Sequence, residues 1–164
     1  MLTTRQLLNY ANSFLGENYG MTLSVPLKIN GRLKRTVGYF KYTVERPTEY
    51  KEAKSVELSK IFVENNKKEI VLDVLKHELV HYALFMQGKP NSDGHPVFEN
   101  ELRRLGIVSQ DTINKYNIKS EVHVYECSNC GLKFHKTRRL KHNGRYHCCG
   151  KCGGSLIDKG KEVM

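Results

Sequence analysis

Between Ile70 and Phe85 the apolar positions Ile70, Val71, Val74, Leu75, Leu79, Tyr82 and Phe85 recur at helical spacing, and no Gly or Pro intervenes before Gly88. This stretch predicts one long, largely buried helix. Ahead of it, Thr3-Thr4-Arg5-Gln6 has the form of a capping box and opens a first helix running to about Leu15, before Gly16 and Gly20. Segments 21–29 and 32–45 read as strands on either side of Asn30-Gly31, a dipeptide that favours a two-residue hairpin turn. Ser55 to Val63 alternates as a third strand, and a polar turn at 65–68 leads into the long helix. After the turn-rich stretch GKPNSDGHP, the segment PVFENELRRLG predicts a second, shorter helix. Residues 107–120 read as a connector with some helical content, and residues from about 121 to 158 as short strands and knuckles. The expected architecture is α+β: a catalytic domain over 1–120 with a short antiparallel sheet packed on two or three helices, then a small module over 121–164.

Chemistry enters through the long helix, which carries His77, Glu78 and His81 as HELVH. Two histidines four residues apart project from one helix face and can grip one metal ion, while the intervening Glu lies beside the ion as a proton acceptor for a water activated there. A bland reading makes these ordinary core or surface groups. Burying two imidazoles and a carboxylate without partners would cost on the order of several kcal/mol, which weighs against it. A catalytic zinc takes three protein ligands and keeps one position open. The motif HExxHxxGxxH is absent, so the third ligand must come from further on. His95, delivered by the loop just before the second helix, is the first choice; Glu99 and Glu101 are the alternatives.

The second constellation is Cys127-x2-Cys130 and Cys149-x2-Cys152, with 18 residues between the pairs. Four thiolates at this spacing can surround one structural Zn2+ tetrahedrally, as in a zinc ribbon. Gly131 and Gly153 follow the second Cys of each pair, where a tight knuckle favours a residue tolerant of positive φ. Cys148 could replace Cys149, but the two-residue gap at 149–152 matches the first pair. With neither a signal peptide nor a membrane segment read in the chain, a reducing cytoplasm is the expected location, and metal is preferred there to disulfides.

Charge modifies this picture at one end. The chain carries net charge +10, and residues 121–164 hold nine Lys and Arg against four acids. Lys136, Arg138, Arg139, Lys141 and Arg145 interleave with Phe134 and Tyr146, a pattern suited to phosphate contacts flanked by rings on which unpaired bases stack. Single-stranded DNA is thus the expected nucleic-acid partner. The competing view of such a run is a solvated loop.

The strings HELVHYALFMQGKPNSDGHPVFE, TVGYFKYTVE, SVELSKIFVEN, YECSNCGLKFHKTRRL and GRYHCCGKCGG together resemble the SprT-like family of zinc metalloproteases over most of the chain. The resemblance implies a zincin-like catalytic domain with His77, His81 and His95 as ligands of a catalytic Zn2+ and Glu78 as the base. A eukaryotic relative cleaves proteins crosslinked to DNA, and by analogy this chain is expected to act on DNA-bound protein substrates; a monomer is expected. A zinc-stabilised nucleic-acid-binding protein without turnover is the alternative.

Overall fold

A computed structural model describes residues 1–116 and 121–164 of the chain, in two compact units, Met1–Ile118 and Lys119–Met164. The first unit contains α1 (Thr4–Tyr19), β1 (Leu27–Asn30), β2 (Gly38–Glu45), β3 (Tyr50–Ser59), α2 (Lys60–Asn65), α3 (Lys68–Met86), α4 (Pro96–Leu105) and α5 (Gln110–Lys115). The second contains β4 (Glu121–Cys127), β5 (Lys133–Lys136), a 3-10 turn (Lys141–Gly144) and β6 (Leu156–Val163). The class is mixed α+β, with two small sheets and five α-helices among the described residues. None of these helices is long and apolar enough to cross a membrane.

The capping box at the start of α1 forms as its sequence predicts: the Thr3 side chain accepts from the Gln6 N–H while the Gln6 side chain accepts from the Thr3 N–H. Yet α1 continues past Gly16 to Tyr19 and ends only at Gly20. Its buried face, Leu7, Ala11 and Leu15 at a spacing of four, lies against the core, and that packing carries the helix through a glycine that weakens it.

The sheet departs from the expected hairpin. Its order is β1-β3-β2, with β1 parallel and β2 antiparallel to β3, so it is mixed rather than antiparallel. Asn30 does start a turn, its backbone oxygen and Oδ1 receiving the N–H groups of Leu33 and Arg32, but β2 begins only at Gly38. The true hairpin joins β2 to β3 across residues 46–49. All five residues from Ser55 to Ser59 are buried, and such a segment belongs in the middle of a sheet, covered on both faces and both edges. The third strand also ends earlier than its alternation suggests. Ile61, Phe62 and Val63 belong to α2, where Phe62 and Val63 are buried, so packing overrides the β-propensity of the run.

α3 is covered on two sides. Val71, Val74, Leu75, Leu79, Tyr82 and Ala83 join the main core with α1 and the sheet, whereas Val80 and Leu84 join Phe98, Leu102 and Ile107 in a second cluster beneath α4. A helix buried nearly all round can hold its polar side chains only where they find partners. Of the connector, Gln110–Lys115 is helical, and residues 117–120 lie outside the described residues.

In the second unit β4 is the central strand of an antiparallel sheet, flanked by β5 and β6. Two matching knuckles extend from it. The Gly131 N–H donates to the Cys127 oxygen at 3.0 Å and the Gly153 N–H to the Cys149 oxygen at 2.8 Å, with both glycines left-handed (φ 70° and 74°).

Candidate metal centres

On α3, His77 and His81 point the same way, and the loop after the helix folds back over them. His77 Nε2 lies 3.0 Å from Asp93 Oδ1 and 3.2 Å from His81 Nε2, while His81 Nε2 is 3.4 Å from Asp93 Oδ1. An ion with four ligands at about 2.0–2.1 Å separates its donor atoms by about 3.3–3.4 Å, so three donors here already stand near the corners of one tetrahedral face. The other ring nitrogens fix the orientation of both rings. His77 Nδ1 donates to the Val108 carbonyl at 2.8 Å and His81 Nδ1 donates to the Asn91 carbonyl, so both Nε2 atoms are turned to the common centre, where a metal would replace their protons. Phe98 of α4 stacks on the His81 ring (4.0 Å, 14°) and meets the His77 ring edge-on (5.2 Å), locking both imidazoles in place.

Glu78 is 5% exposed, and the Phe40 N–H of β2 donates to its carboxylate. Burial pushes its pKa up, against the pull of the two histidines. Burial acts on Asp93 in the same sense, but its hydrogen bonds with His77 and His81 prevail and hold it well below the usual carboxylate range. His77 is raised: desolvation works against its charged form, and the bond to Asp93, the Glu78 charge and the Val108 carbonyl outweigh that. Glu78, His81 and Asp93 line an open cleft of about 360 Å³, together with Asn91, Ser92 and Gln110 on one side and Gly38, Tyr39, Phe40 and Tyr42 of β2 on the other.

His95 sits at the N-cap of α4, just before Pro96, as its sequence position suggests. Its Nδ1 accepts from the Val97 N–H at 3.2 Å, and it stands outside the cluster of His77, His81 and Asp93. Glu99 accepts the Gly94 N–H at 2.9 Å and so holds the loop, while Glu101 bonds Tyr19 and Arg104. Asp93 is the group that sequence reasoning passed over. In NSDGHP it looks like any turn-forming Asp, and nothing local separates a ligand from a turn residue.

In the second unit Cys127, Cys130, Cys149 and Cys152 converge, with Sγ–Sγ separations of 3.4 Å for Cys127 to Cys152 and 3.7 Å for Cys130 to Cys149. Zinc–thiolate bonds of about 2.3 Å put sulfurs about 3.8 Å apart, so the set fits one tetrahedral ion. A backbone hydrogen bond from Leu132 favours the Cys130 thiolate, but the neighbouring sulfurs, Cys152 foremost, push it up to about 11. Cys152 is lowered, chiefly by a backbone hydrogen bond from Gly154. Four such groups ionise together only around a cation. Cys148 is exposed and pairs across an isolated bridge with Ser155. Lys136, Arg138, Arg139, Lys141 and Arg145 are all exposed along one segment from the end of β5 past the 3-10 turn, with Arg139 3.4 Å from Asp158. Tyr146 beside them is exposed and meets His142 edge-on at 5.1 Å.

The profile of the SprT-like family matches residues 4–121, the stretch that holds both histidines, Glu78 and the folded-back loop. The chain belongs to the SprT-like family. Relatives described as Protein SprT-like include one from Geobacillus sp. (strain WCH70), 32% identical over 116 residues, covering 66% of this chain and 72% of the relative. One from Bacillus cereus (strain G9842) is 29% identical over 140 residues, 84% of each chain. One from Bacillus velezensis is 26% identical over 157 residues, 94% of this chain and 97% of its own, so that similarity extends through the cysteine unit.

Proposed function

We propose that this SprT-like protein is a zinc-dependent peptidase that hydrolyses peptide bonds in DNA-associated proteins, including proteins crosslinked to DNA, in the cytoplasm. The observation that carries this reading is a buried carboxylate, Glu78, beside three donor atoms spaced as the face of a tetrahedron, in a cleft bordered by an edge strand.

His77, His81 and a donor from the loop before α4 would hold a divalent ion, which would supply Lewis acidity to water and to the scissile carbonyl. Asp93 stands in the loop position in this structure, and His95, two residues on, is the donor that the family resemblance implies. Glu78 takes the proton from the attacking water as its oxygen bonds to the carbonyl carbon, and then returns that proton to the leaving nitrogen as the C–N bond breaks. Burial raises its proton affinity, so it is poised to accept, and it lines the cleft beside Phe40. An extended substrate cannot add beside residues 55–63, because Val56–Ser59 are paired on both sides and the residues after them are helical. It adds instead beside β2, the edge strand that lines the cleft. Lys136, Arg138, Lys141 and Arg145, with Tyr146, bind single-stranded DNA and bring the peptidase to its substrates.

The test is cleavage of an unfolded protein by the zinc-loaded monomer and by Glu78→Gln, each with and without a single-stranded oligonucleotide. Wild type alone should cut, faster with the oligonucleotide. Equal rates for the two proteins would remove Glu78 from the chemistry.

A further inference from the structure

One wall of the cleft has a composition that the hydrolytic step does not require. Along β2 the side chains of Phe40, Tyr42 and Val44, following Gly38, share the face that looks towards α3. Phe40 is buried against Tyr82 (5.7 Å) and Phe85 (5.2 Å). Tyr42 lies 5.0 Å from Phe85 and 5.7 Å from Phe40, yet it is 40% exposed and lines the cleft. Val44, next on that face, is 43% exposed. An aromatic shelf therefore leads away from Glu78 along the sheet edge that borders the cleft. The pairing shifts register between Lys41 and Tyr42, where Lys54 of β3 is the extra residue, so the alternation of β2 itself runs on unbroken.

We propose that Tyr42 and Phe85 form a side-chain subsite that selects protein substrates carrying a large apolar residue close to the scissile bond. The proposal rests on the peptidase reading above and names its substrate class. An added strand repeats the alternation of β2, so every second substrate side chain points to the same side as Tyr42. Phe40 and Glu78 line the same cleft, which places the chemistry beside Phe40; Tyr42, two residues along β2, is about 7 Å from Phe40. The side chain on the shelf is thus one or two residues from the bond that breaks. Ring-on-ring or ring-on-aliphatic contact there suits Phe, Tyr, Leu or Met and gives Ser or Gly nothing to touch.

The experiment uses the zinc-loaded full chain, an unfolded protein whose cleavage products are sequenced by mass spectrometry, and two peptides that differ only by Phe or Ser at the indicated position. Wild type should cut with a bulky apolar residue at a fixed offset and prefer the Phe peptide about tenfold in kcat/KM, mostly through KM. Tyr42→Ser should lower kcat/KM for the Phe peptide about tenfold more than for the Ser peptide, and Tyr42→Phe should keep the preference. In the Glu78→Gln background, fluorescence anisotropy should show the uncut Phe peptide binding more tightly, and Tyr42→Ser removing the difference. Cleavage without an offset preference, or a preference that survives Tyr42→Ser, overturns the subsite and leaves the peptidase reading standing. A Tyr42→Ser change that weakens oligonucleotide binding but not Phe-peptide binding assigns the shelf to bases and overturns it too. No cleavage by zinc-loaded wild type overturns the peptidase reading and the subsite with it.

Discussion

Replacing Glu78 by Gln perturbs one group in two separable ways. Gln keeps the shape and an oxygen to accept the Phe40 N–H, and it loses the ability to take up a proton. General bases contribute about 10²–10⁴-fold, so peptide hydrolysis should fall by that factor while zinc stays bound. The opposite change is expected in stability. Burial raises the pKa of Glu78 above its ordinary 4.5, so the folded state holds this proton more tightly than the unfolded chain does. The contribution is fully present below pH 4.5 and is lost as pH rises through the folded pKa. Within that window wild type loses up to about 1.4 kcal/mol per pH unit, a loss that Gln does not suffer. For a unit of this size each kcal/mol is worth about 3–6 °C in Tm. The assay is differential scanning calorimetry of both proteins, with the histidine-site metal stripped by a mild chelator, at pH 5, 6 and 7. Glu78→Gln should be the more stable protein above pH 4.5, by a margin that grows as pH rises through the folded pKa of Glu78 and then holds. A variant that is less stable at pH 7, or whose advantage shrinks as pH rises, would refute the burial argument whatever happens to activity.

Asp93→Asn and His95→Ala, titrated with zinc against a chromophoric chelator, will identify the loop donor by the larger loss of affinity; the positions of the side chains put Asp93 first, with a loss of at least about tenfold. His81→Ala should reduce bound zinc from two ions per chain to one, by elemental analysis. Gly154→Ala would place a Cβ 2.7 Å from the Asn129 Cβ and 2.8 Å from Cys127 Sγ, so it should speed zinc release from the cysteine site and lower the melting temperature of the second unit. Changing Arg138, Lys141 and Arg145 to Ala should weaken single-stranded DNA binding at low salt and lower the salt slope by about 0.7 for each phosphate that is no longer neutralised.

How far each feature could be read in advance follows the range of the interactions behind it. The capping box, the long helix over Lys68–Met86, the α4 start at Pro96 and the glycine knuckles at 131 and 153 are set by residues within a few positions of one another, and all are legible in the chain. So is the pairing of His77 with His81 and of the CxxC motifs with each other, since helix periodicity and knuckle geometry place their donors. The order of the sheet is not. Whether Asn30-Gly31 closes a hairpin or only turns the chain depends on which strand lies beside β1, and burial of Ser55–Ser59 gives that place to β3. The continuation of α1 past Gly16 and the helical state of Phe62 and Val63 were likewise decided by the core they pack into.

The sequence alone determined the chemistry on offer: two imidazoles and a carboxylate on one helix face, and four thiols in two knuckles. Tertiary structure decided their company. It brought Asp93 to the histidines, set the Val108 and Asn91 carbonyls behind them, laid Phe98 on their rings and made β2 the open edge of the cleft. Each of these contacts joins segments ten or more residues apart, and closing such loops is directed by burial of the whole core, which no local pattern encodes.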